Sequence, residues 1–119
     1  MTDLQELEIA VRALDSKKAS DIKVLKVEDL TILAKYFIIA SATSTTQVKA
    51  LAGEVEFKLG EKGIQPKSIE GEQSRTWIIL DYYDIVIHVF LEETRDFYRL
   101  EHLWADGTPV DISDWVTPS

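Results

Sequence analysis

The segment that most constrains the fold lies between residues 76 and 104, TWIILDYYDIVIHVFLEETRDFYRLEHLW. Two apolar runs, residues 76–80 and 85–91, flank a four-residue turn that begins with Asp81 and ends with Asp84. Because both runs are rich in β-branched and aromatic residues, they predict a β-hairpin. Polar residues with interspersed aromatics follow and predict a helix over residues 92–104. The other elements are expected to assemble around this hairpin and helix.

Aromatic side chains are concentrated in the same segment, which holds seven of the eleven in the chain. A domain of this size buries only a few such rings, so some of the seven are expected at the surface. Exposed Tyr and Trp side chains most often mark contact with another macromolecule. The segment is therefore the first place to search for a binding site.

The rest of the chain supplies two helices and further strands. A helix over residues 3–17 begins with the capping-box pair Thr2 and Gln5. Residues 36–42, YFIIASA, form a near-continuous apolar run, which is typical of a strand buried on both faces and predicts the central strand. The remaining predicted elements are a strand at 21–27 near a sheet edge, one helical turn at 30–33, a helix from the cap Ser44 to the stop at Gly63, a short strand at 67–69, and an irregular acidic tail from about residue 105.

This order of elements predicts one α/β domain over residues 1–119, with a single mixed β-sheet and helices packed on it. No apolar run approaches the ~20 residues that a membrane span requires, so no membrane association is expected. The N-terminal residues MTDLQELE do not have the pattern of a signal peptide. The absence of cysteine excludes disulfides and thiolate metal sites, and it fits a cytoplasmic location.

The formal net charge of the chain is −8, and residues 92–119 hold seven acids against Arg95 and Arg99. Nucleic-acid binding depends on neutralising phosphates, so direct nucleic-acid recognition is not expected. Charge of this sign steers a protein toward a basic protein surface. Solubility alone explains the same charge equally well.

Asp81 and Asp84 are the obvious carboxylate pair to consider for metal-dependent nucleotidyl transfer. They are three residues apart across a predicted turn, whereas paired ligands on one strand face are usually two apart. Aspartate is also a common turn residue, and the turn is the favoured interpretation. His88 and His102 have no partner at ligand spacing, and no nucleophile-elbow motif is present. We therefore expect no metal, no cofactor and no enzymatic activity.

The predicted last helix has two distinct faces. Phe97, Leu100 and Trp104 have the spacing of an inward face. Tyr98 and Glu101 lie three apart on another face, where an aromatic ring beside a carboxylate suits a basic partner. An ordinary solvated helix face explains that pair equally well.

The chain resembles the ribosomal silencing factor family, also called the Iojap family, over residues 4–112. The resemblance rests on the order and spacing of several short motifs. These are Tyr36-Phe37-Ile38-Ile39-Ala40-Ser41, Thr43-Ser44, Gln47-Val48, Glu54-Val55-Glu56, Glu70-Gly71, Trp77 with Leu80-Asp81-Tyr82, Asp84 with His88-Val89-Phe90, Phe97-Tyr98, Leu100-Glu101 and Leu103-Trp104.

The resemblance implies a fold similar to that of nucleotidyltransferases but without their catalytic residues. It also implies binding to the large ribosomal subunit, through a basic ribosomal protein on the joining face, the fourteenth of the large-subunit series. Family members bound there block association with the small subunit and repress translation under nutrient limitation. By resemblance, the candidate contact residues are Trp77, Asp81, His88, Tyr98, Glu101 and Trp104. A homodimer that uses part of the same surface is expected as well.

The chain departs from the family pattern at several positions. Ala34-Lys35 stands where the family usually has Thr-Asp, and Ala42 and Tyr83 stand where it usually has Gly. Tyr83 is the departure with a structural consequence, because glycine tolerates a positive φ in a hairpin turn and tyrosine does not.

Two other functions are kept open by the residues alone. One is a divergent metal-dependent nucleotidyltransferase, which binding of Mg²⁺ with nucleotide would reveal. The other is a small dimeric adaptor with no role at the ribosome, which co-sedimentation with large subunits would test. His88 and Trp104 are each as consistent with a core position as with a contact.

Overall fold

Ten elements follow one another along residues 1–117, the part of the chain that the computed structural model describes. The helices are α1 (Asp3–Ser16), α2 (Thr45–Glu61), α3 (Glu92–Tyr98) and the single turn α4 (Leu100–Leu103). The strands are β1 (Ser20–Lys26), β2 (Tyr36–Ala42), β3 (Ser68–Glu70), β4 (Trp77–Asp81), β5 (Ile85–Leu91) and β6 (Thr108–Pro109).

The strands form one sheet in the order β3-β4-β5-β2-β1-β6. At its centre β2 and β5 pair in parallel over seven residue pairs, from Tyr36–Ile85 to Ala42–Leu91, and the other pairings are antiparallel. The hairpin of β4 and β5, the central position of β2 and the mixed sheet are thus as predicted. The likeness to nucleotidyltransferases stays a prediction.

One face of the sheet is covered by α1 and α2. Each helix buries one stripe of apolar residues at helical spacing. They pack on alternate residues of the central strands. Members of this core include Leu7, Val11, Leu14, Leu51, Val55, Ile38, Ile78, Leu80 and Ile87. Each such side chain contributes about 1.5–3 kcal/mol by burial, so this layer is the main source of stability.

Both long helices have the predicted caps, with one difference. In α1 the Thr2 hydroxyl accepts from the Gln5 amide at 3.2 Å, and the Gln5 side chain accepts from the Thr2 amide at 2.9 Å. In α2 the Ser44 hydroxyl accepts from the Gln47 backbone amide, but the side-chain Oε1 of Gln47 accepts from the Thr43 amide instead of the Ser44 amide. The Gln47 side chain also donates to the Lys18 carbonyl at 3.1 Å, which fastens α2 to the turn after α1.

The prediction of one continuous helix over residues 92–104 is wrong. Arg99 has a φ of +48°, in the left-handed region, and separates α3 from α4. Its amide donates to the Arg95 carbonyl at 2.8 Å and closes α3. The break redirects the chain, so that Phe97 is exposed instead of facing inward, while Leu100 is buried. Tyr98 and Glu101 consequently belong to different helical segments.

The β4–β5 turn forms although Tyr83 replaces the expected glycine. Tyr83 has a φ of +72°, which is unfavourable for a tyrosine. Its amide donates to Asp81 Oδ1 at 2.8 Å, and the Tyr82 amide donates to the Ile85 carbonyl at 2.8 Å. The Asp81 side chain therefore supports the left-handed residue and helps to keep the turn closed.

The acidic tail lies against the sheet and the helix-covered core. Its two-residue strand β6 pairs with the end of β1, and the Val110 amide donates to the Val24 carbonyl at 2.9 Å. Ile112 and Trp115 are partly buried against the same core as α1 and α2. This segment is therefore packed as part of the domain, although most of it has no regular structure.

Two glycines in contrasting environments give a test of this fold. A Cβ at Gly71 would lie 2.0 Å from the Trp77 carbonyl oxygen, and Gly71 has a φ of +88°. Gly53 lies inside α2, and a Cβ there would meet nothing within 4 Å. We expect Gly71→Ala to lower the free energy of unfolding by about 2 kcal/mol or more. Gly53→Ala should raise it by about 1 kcal/mol. Urea unfolding measures both, and equal midpoints for the two variants would contradict this packing.

Candidate partner-binding face

The second face of the sheet carries most of the candidate contact residues. Alternate residues of β2, β4 and β5 point away from α1 and α2. The strand register sets them in three rows: Asp81–Val86–Phe37, Ile79–His88–Ile39 and Trp77–Phe90–Ser41. We call this surface, together with Phe97, Tyr98, Leu100 and Trp104 from the C-terminal helical region, the aromatic face.

Four rings on this face form a ladder from the core to solvent. Phe90 is fully buried, and Trp77 stacks on it with ring centroids 4.7 Å apart. Tyr98 lies 4.9 Å from Trp77, and Phe97 packs edge-on against Tyr98 at 5.1 Å. Tyr98 is 50% exposed and Phe97 is 80% exposed. The outer rings are therefore open to a partner while their base is fixed in the core.

His88 is a buried residue that holds the Trp77 ring of this ladder in place. It is only 7% exposed, and its Nδ1 accepts from Trp77 Nε1 at 3.1 Å. Burial lowers the pKa of His88 to about 4, so the imidazole is neutral at physiological pH. Because Trp77 Nε1 is only a donor, Nδ1 must be the acceptor and the proton lies on Nε2. His88 is thus a buried group that orients Trp77, and it is not an exposed contact.

Trp104 closes the other side of the aromatic face. Its ring packs edge-on against Phe37 with centroids 5.1 Å apart, and it contacts the cluster formed by Ile39, Phe90 and Leu100. Phe37 in turn packs edge-on against His88 at 5.3 Å. Trp104 is half-buried, so it contributes to the core and leaves part of its ring at the surface.

Arg95 is a buried cation that joins four segments behind this face. Its side chain is 4% exposed. Nη1 donates to the Asp21 carbonyl and to the Ser41 hydroxyl, each at 2.7 Å, and Nε donates to Glu101 at 3.2 Å. Nη2 lies 3.4 Å from the Asp21 carboxylate. One side chain therefore ties the start of β1, the end of β2, α3 and α4 together.

The pairing with Arg95 changes the role of Glu101. Partial burial alone would raise the pKa of Glu101, but its backbone amide and Arg95 together outweigh burial, and the pKa lies below its ordinary value. One carboxylate oxygen is occupied by Arg95, while Oε2 is buried and makes no hydrogen bond within the described residues. Glu101 is thus held ionised in a fixed orientation.

The structure brings together five of the six candidate contact residues. Trp77 contacts both His88 and Tyr98. Trp104 joins them through Phe37, and Glu101 lies in the adjoining turn α4. Asp81 lies on the same face but at the far end of β4, beside the turn. Tyr98, at 50%, is the most exposed of the six; Trp77, Asp81, Glu101 and Trp104 are less exposed, and His88 is buried.

The two aspartates of the turn have structural partners. Asp81 accepts from the Tyr83 amide, and Asp84 lies 3.8 Å from the Lys35 ammonium. Within residues 1–117 no three His, Asp or Glu side chains converge as a metal site would require. The turn interpretation of this pair therefore has direct structural support.

Sequence reasoning missed Arg95 and the exposure of Phe97. Ser41 was the available signal, because a hydroxyl in a buried apolar strand requires a hydrogen-bond partner. In a continuous helix Arg95 and Glu101 could not face one another, so the break at Arg99 concealed their pairing. Nothing in the sequence marks Arg99 as left-handed.

Comparisons with known proteins agree on one family. A family model described as "Ribosomal silencing factor during starvation" matches residues 1–119. The Ribosomal silencing factor RsfS of Bacillus subtilis is 41% identical over 106 residues, which are 89% of this chain and 90% of that protein. The protein of the same name from Halalkalibacterium halodurans is 36% identical over 117 residues, 98% of this chain and 100% of that protein.

A solved structure gives the same picture for the fold. The crystal structure of a Chromobacterium violaceum protein superposes with a TM-score of 0.86 at 39% sequence identity, covering 88% of each chain. In the described part of this chain, every helix is too short or too polar to cross a bilayer.

The role of Arg95 can be tested by removing its charge. Arg95→Met leaves Glu101 and the Ser41 hydroxyl without their donor, so we expect a loss of about 3 kcal/mol in the free energy of unfolding. Arg99→Met makes the same chemical change at an exposed position and should cost less than about 0.5 kcal/mol. Chemical denaturation followed by circular dichroism measures both, and equal losses would contradict the bridging role.

The buried neutral His88 predicts a loss of stability in acid. Its pKa is about 4 in the folded chain, against an ordinary value of 6.5, so the unfolded chain binds more protons between these values. Stability is therefore complete above about pH 6.5 and falls as pH decreases toward 4. We expect the unfolding free energy to drop by about 3 kcal/mol more in the wild type than in His88→Asn between pH 7 and 4.

The control for this measurement is His102→Asn, because His102 is exposed on α4. That variant should follow the wild type across the pH series. If His88→Asn also followed the wild type, His88 would not be the group responsible.

Proposed function

Because the chain belongs to the ribosomal silencing factor family, we propose that it acts at the large ribosomal subunit. In this proposal it binds a basic ribosomal protein on the joining face, the fourteenth of the large-subunit series. The bound protein blocks association with the small subunit and so represses translation when nutrients are limiting. It acts by binding, without catalysis.

The single observation that carries the proposal is the ring ladder on the aromatic face. Tyr98 and Phe97 are exposed, yet Tyr98 rests on Trp77, which rests on buried Phe90. Rigid aromatic rings lose little conformational entropy when a partner covers them, and they dominate the energy of many interfaces. An isolated exposed ring on a flexible loop would lack this preorganisation.

Charge around the ladder favours a basic partner. Glu92, Glu93 and Asp96 are exposed on α3, the helix that carries Phe97 and Tyr98. These carboxylates repel the phosphates of ribosomal RNA and attract lysine and arginine side chains. A basic ribosomal protein surrounded by RNA is therefore a better target than the RNA itself.

The candidate contact residues divide into those that contact the partner and those that position the contacts. We propose Trp77 and Tyr98 as the anchors that a partner covers, with Asp81 at the rim. His88, Glu101 and Trp104 hold the anchors in place: His88 accepts from Trp77, Glu101 fixes α4 through Arg95, and Trp104 packs on Phe37. Their substitution should weaken binding indirectly.

The two helices on the other side of the sheet would block the small subunit sterically. If the aromatic face is seated on the large subunit, α1 and α2 project from the opposite side of the sheet. The domain measures 33 × 32 × 31 Å, so its bulk would occupy the space into which the small subunit must dock. No further activity is needed for inhibition.

The anchor role predicts a large effect at Tyr98. Truncation of a central aromatic anchor costs about 2 kcal/mol or more, so Tyr98→Ala should weaken binding to purified large subunits by about thirtyfold. Its melting temperature should barely change, because half of the side chain is already exposed. Co-sedimentation over a concentration series measures the affinity.

Phe57→Ala is the matched control, since Phe57 is 59% exposed on α2, in the layer that covers the other face of the sheet. It should bind within about twofold of the wild type. Wild-type affinity for Tyr98→Ala, or an equal loss for Phe57→Ala, would contradict the proposed surface.

The same face is proposed to mediate a weak homodimer, because a monomer seldom leaves such rings uncovered. Light scattering at high protein concentration should detect the dimer, and adding large subunits should dissociate it. Tyr98→Ala should weaken the dimer while Phe57→Ala should not. A strictly monomeric wild type would contradict this prediction.

A further inference from the structure

A second exposed apolar surface lies in the loop between β1 and β2. Ile32 is completely exposed, Leu33 is 71% exposed and Leu30 is 44% exposed. Tyr83, in the hairpin turn that faces this loop across a groove, is 63% exposed. Adjacent aliphatic side chains in full contact with water are unusual in a small domain and mark a surface that a partner covers.

The loop holds these side chains outward through its own hydrogen bonds. The Val27 amide donates to the Lys35 carbonyl at 2.7 Å and closes the base of the loop. The amides of Leu30 and Thr31 both donate to the Val27 carbonyl, and the Leu33 amide donates to the Thr31 hydroxyl. Ala34 is buried against Val27. These hydrogen bonds hold the loop in a conformation that exposes Ile32 and Leu33. The predicted helical turn at 30–33 does not form.

The loop and the hairpin turn border an open groove of about 540 Å³. Asp81 lines this groove, and Asp81 is also the last residue of the aromatic face on β4. The groove therefore continues the aromatic face beyond the row that contains Val86 and Phe37. A partner seated on Trp77 and Tyr98 would reach it along β4.

Charged groups at the groove favour a cation. Three carboxylates line it, from Glu28, Asp81 and Asp84, against the ammonium groups of Lys35 and Lys67. Lys35 lies 3.8 Å from Asp84 and 3.6 Å from Asp3, and Lys26 lies 3.0 Å from Glu28. Among the described residues, Asp81 is therefore the groove carboxylate that has no ammonium partner. A long cationic side chain could lay its aliphatic stem on Ile32 and Leu33 and place its charge near Asp81.

We propose that this groove binds a lysine or arginine side chain of the same basic protein that covers the aromatic face. The inference rests on the proposed function, and it adds a second anchor at the opposite end of β4. Leu33, Ile32 and Tyr83 supply the apolar contact, and Asp81 supplies the charge. At this groove a basic partner is preferred to a second copy of this chain, because two copies that each carry a net charge of −8 attract one another only weakly, as the weak homodimer proposed above requires.

The test measures binding of the full-length chain to purified large ribosomal subunits. Ile32→Ser alone and Ile32→Ser with Leu33→Ser should weaken binding, the double variant by about tenfold, because the apolar contact is lost. Phe57→Ser makes the same kind of change on α2 and should bind like the wild type. Asp81→Asn keeps the acceptor for the Tyr83 amide, and it should make binding less sensitive to salt.

The outcomes separate this inference from the function on which it rests. If the loop variants bind like the wild type while Tyr98→Ala does not, the groove is outside the interface and this inference is overturned alone. If the loop variants lose self-association but keep subunit binding, the groove belongs to a second copy, which also overturns it. If Tyr98→Ala and the loop variants all bind like the wild type, or if the wild type does not bind, the proposed function fails with it.

Discussion

The parallel pairing of β2 with β5 is the constraint on which the rest of the structure depends. Because these two apolar strands run in the same direction, the chain between them must return from one end of the sheet to the other through a crossover connection. That connection contains α2, which with α1 covers one face and forms the main core. The opposite face is left to the short segments α3 and α4, which cover only part of it. An incompletely covered second face, the one proposed to bind the partner, is therefore a direct consequence of this topology.

Arg95 determines how the last segments cover that face. Burying a cation is unfavourable unless it is paired. The carbonyl of Asp21, the hydroxyl of Ser41 and the carboxylate of Glu101 accept hydrogen bonds from Arg95. Nη2 makes no hydrogen bond within the described residues and lies 3.4 Å from the Asp21 carboxylate. The pairing requires the left-handed break at Arg99, which turns Phe97 toward solvent. The exposed end of the ring ladder and the buried cation behind it thus have one structural cause.

Much of the fold could be predicted from local patterns, because the hairpin, the buried run at β2 and the caps of both long helices are encoded within a few neighbouring residues. The break at Arg99 could not be predicted from local patterns. It accompanies the contacts of Arg95 with Ser41 and Asp21, which are distant in sequence. The candidate contact residues were gathered by resemblance, and the structure distinguishes them: Tyr98 is exposed, whereas His88 is buried with a lowered pKa. Side-chain burial of this kind follows from tertiary packing and leaves no local signal.

The central claim is that the chain meets the large subunit with its aromatic face and presents α1 and α2 outward. Electron cryomicroscopy of the chain bound to large subunits tests this orientation most directly. The account predicts that Trp77 and Tyr98 contact a basic protein on the joining face, with the two long helices directed toward the position of the small subunit. A complex in which α1 or α2 forms the contact and Tyr98 remains in solvent would contradict it.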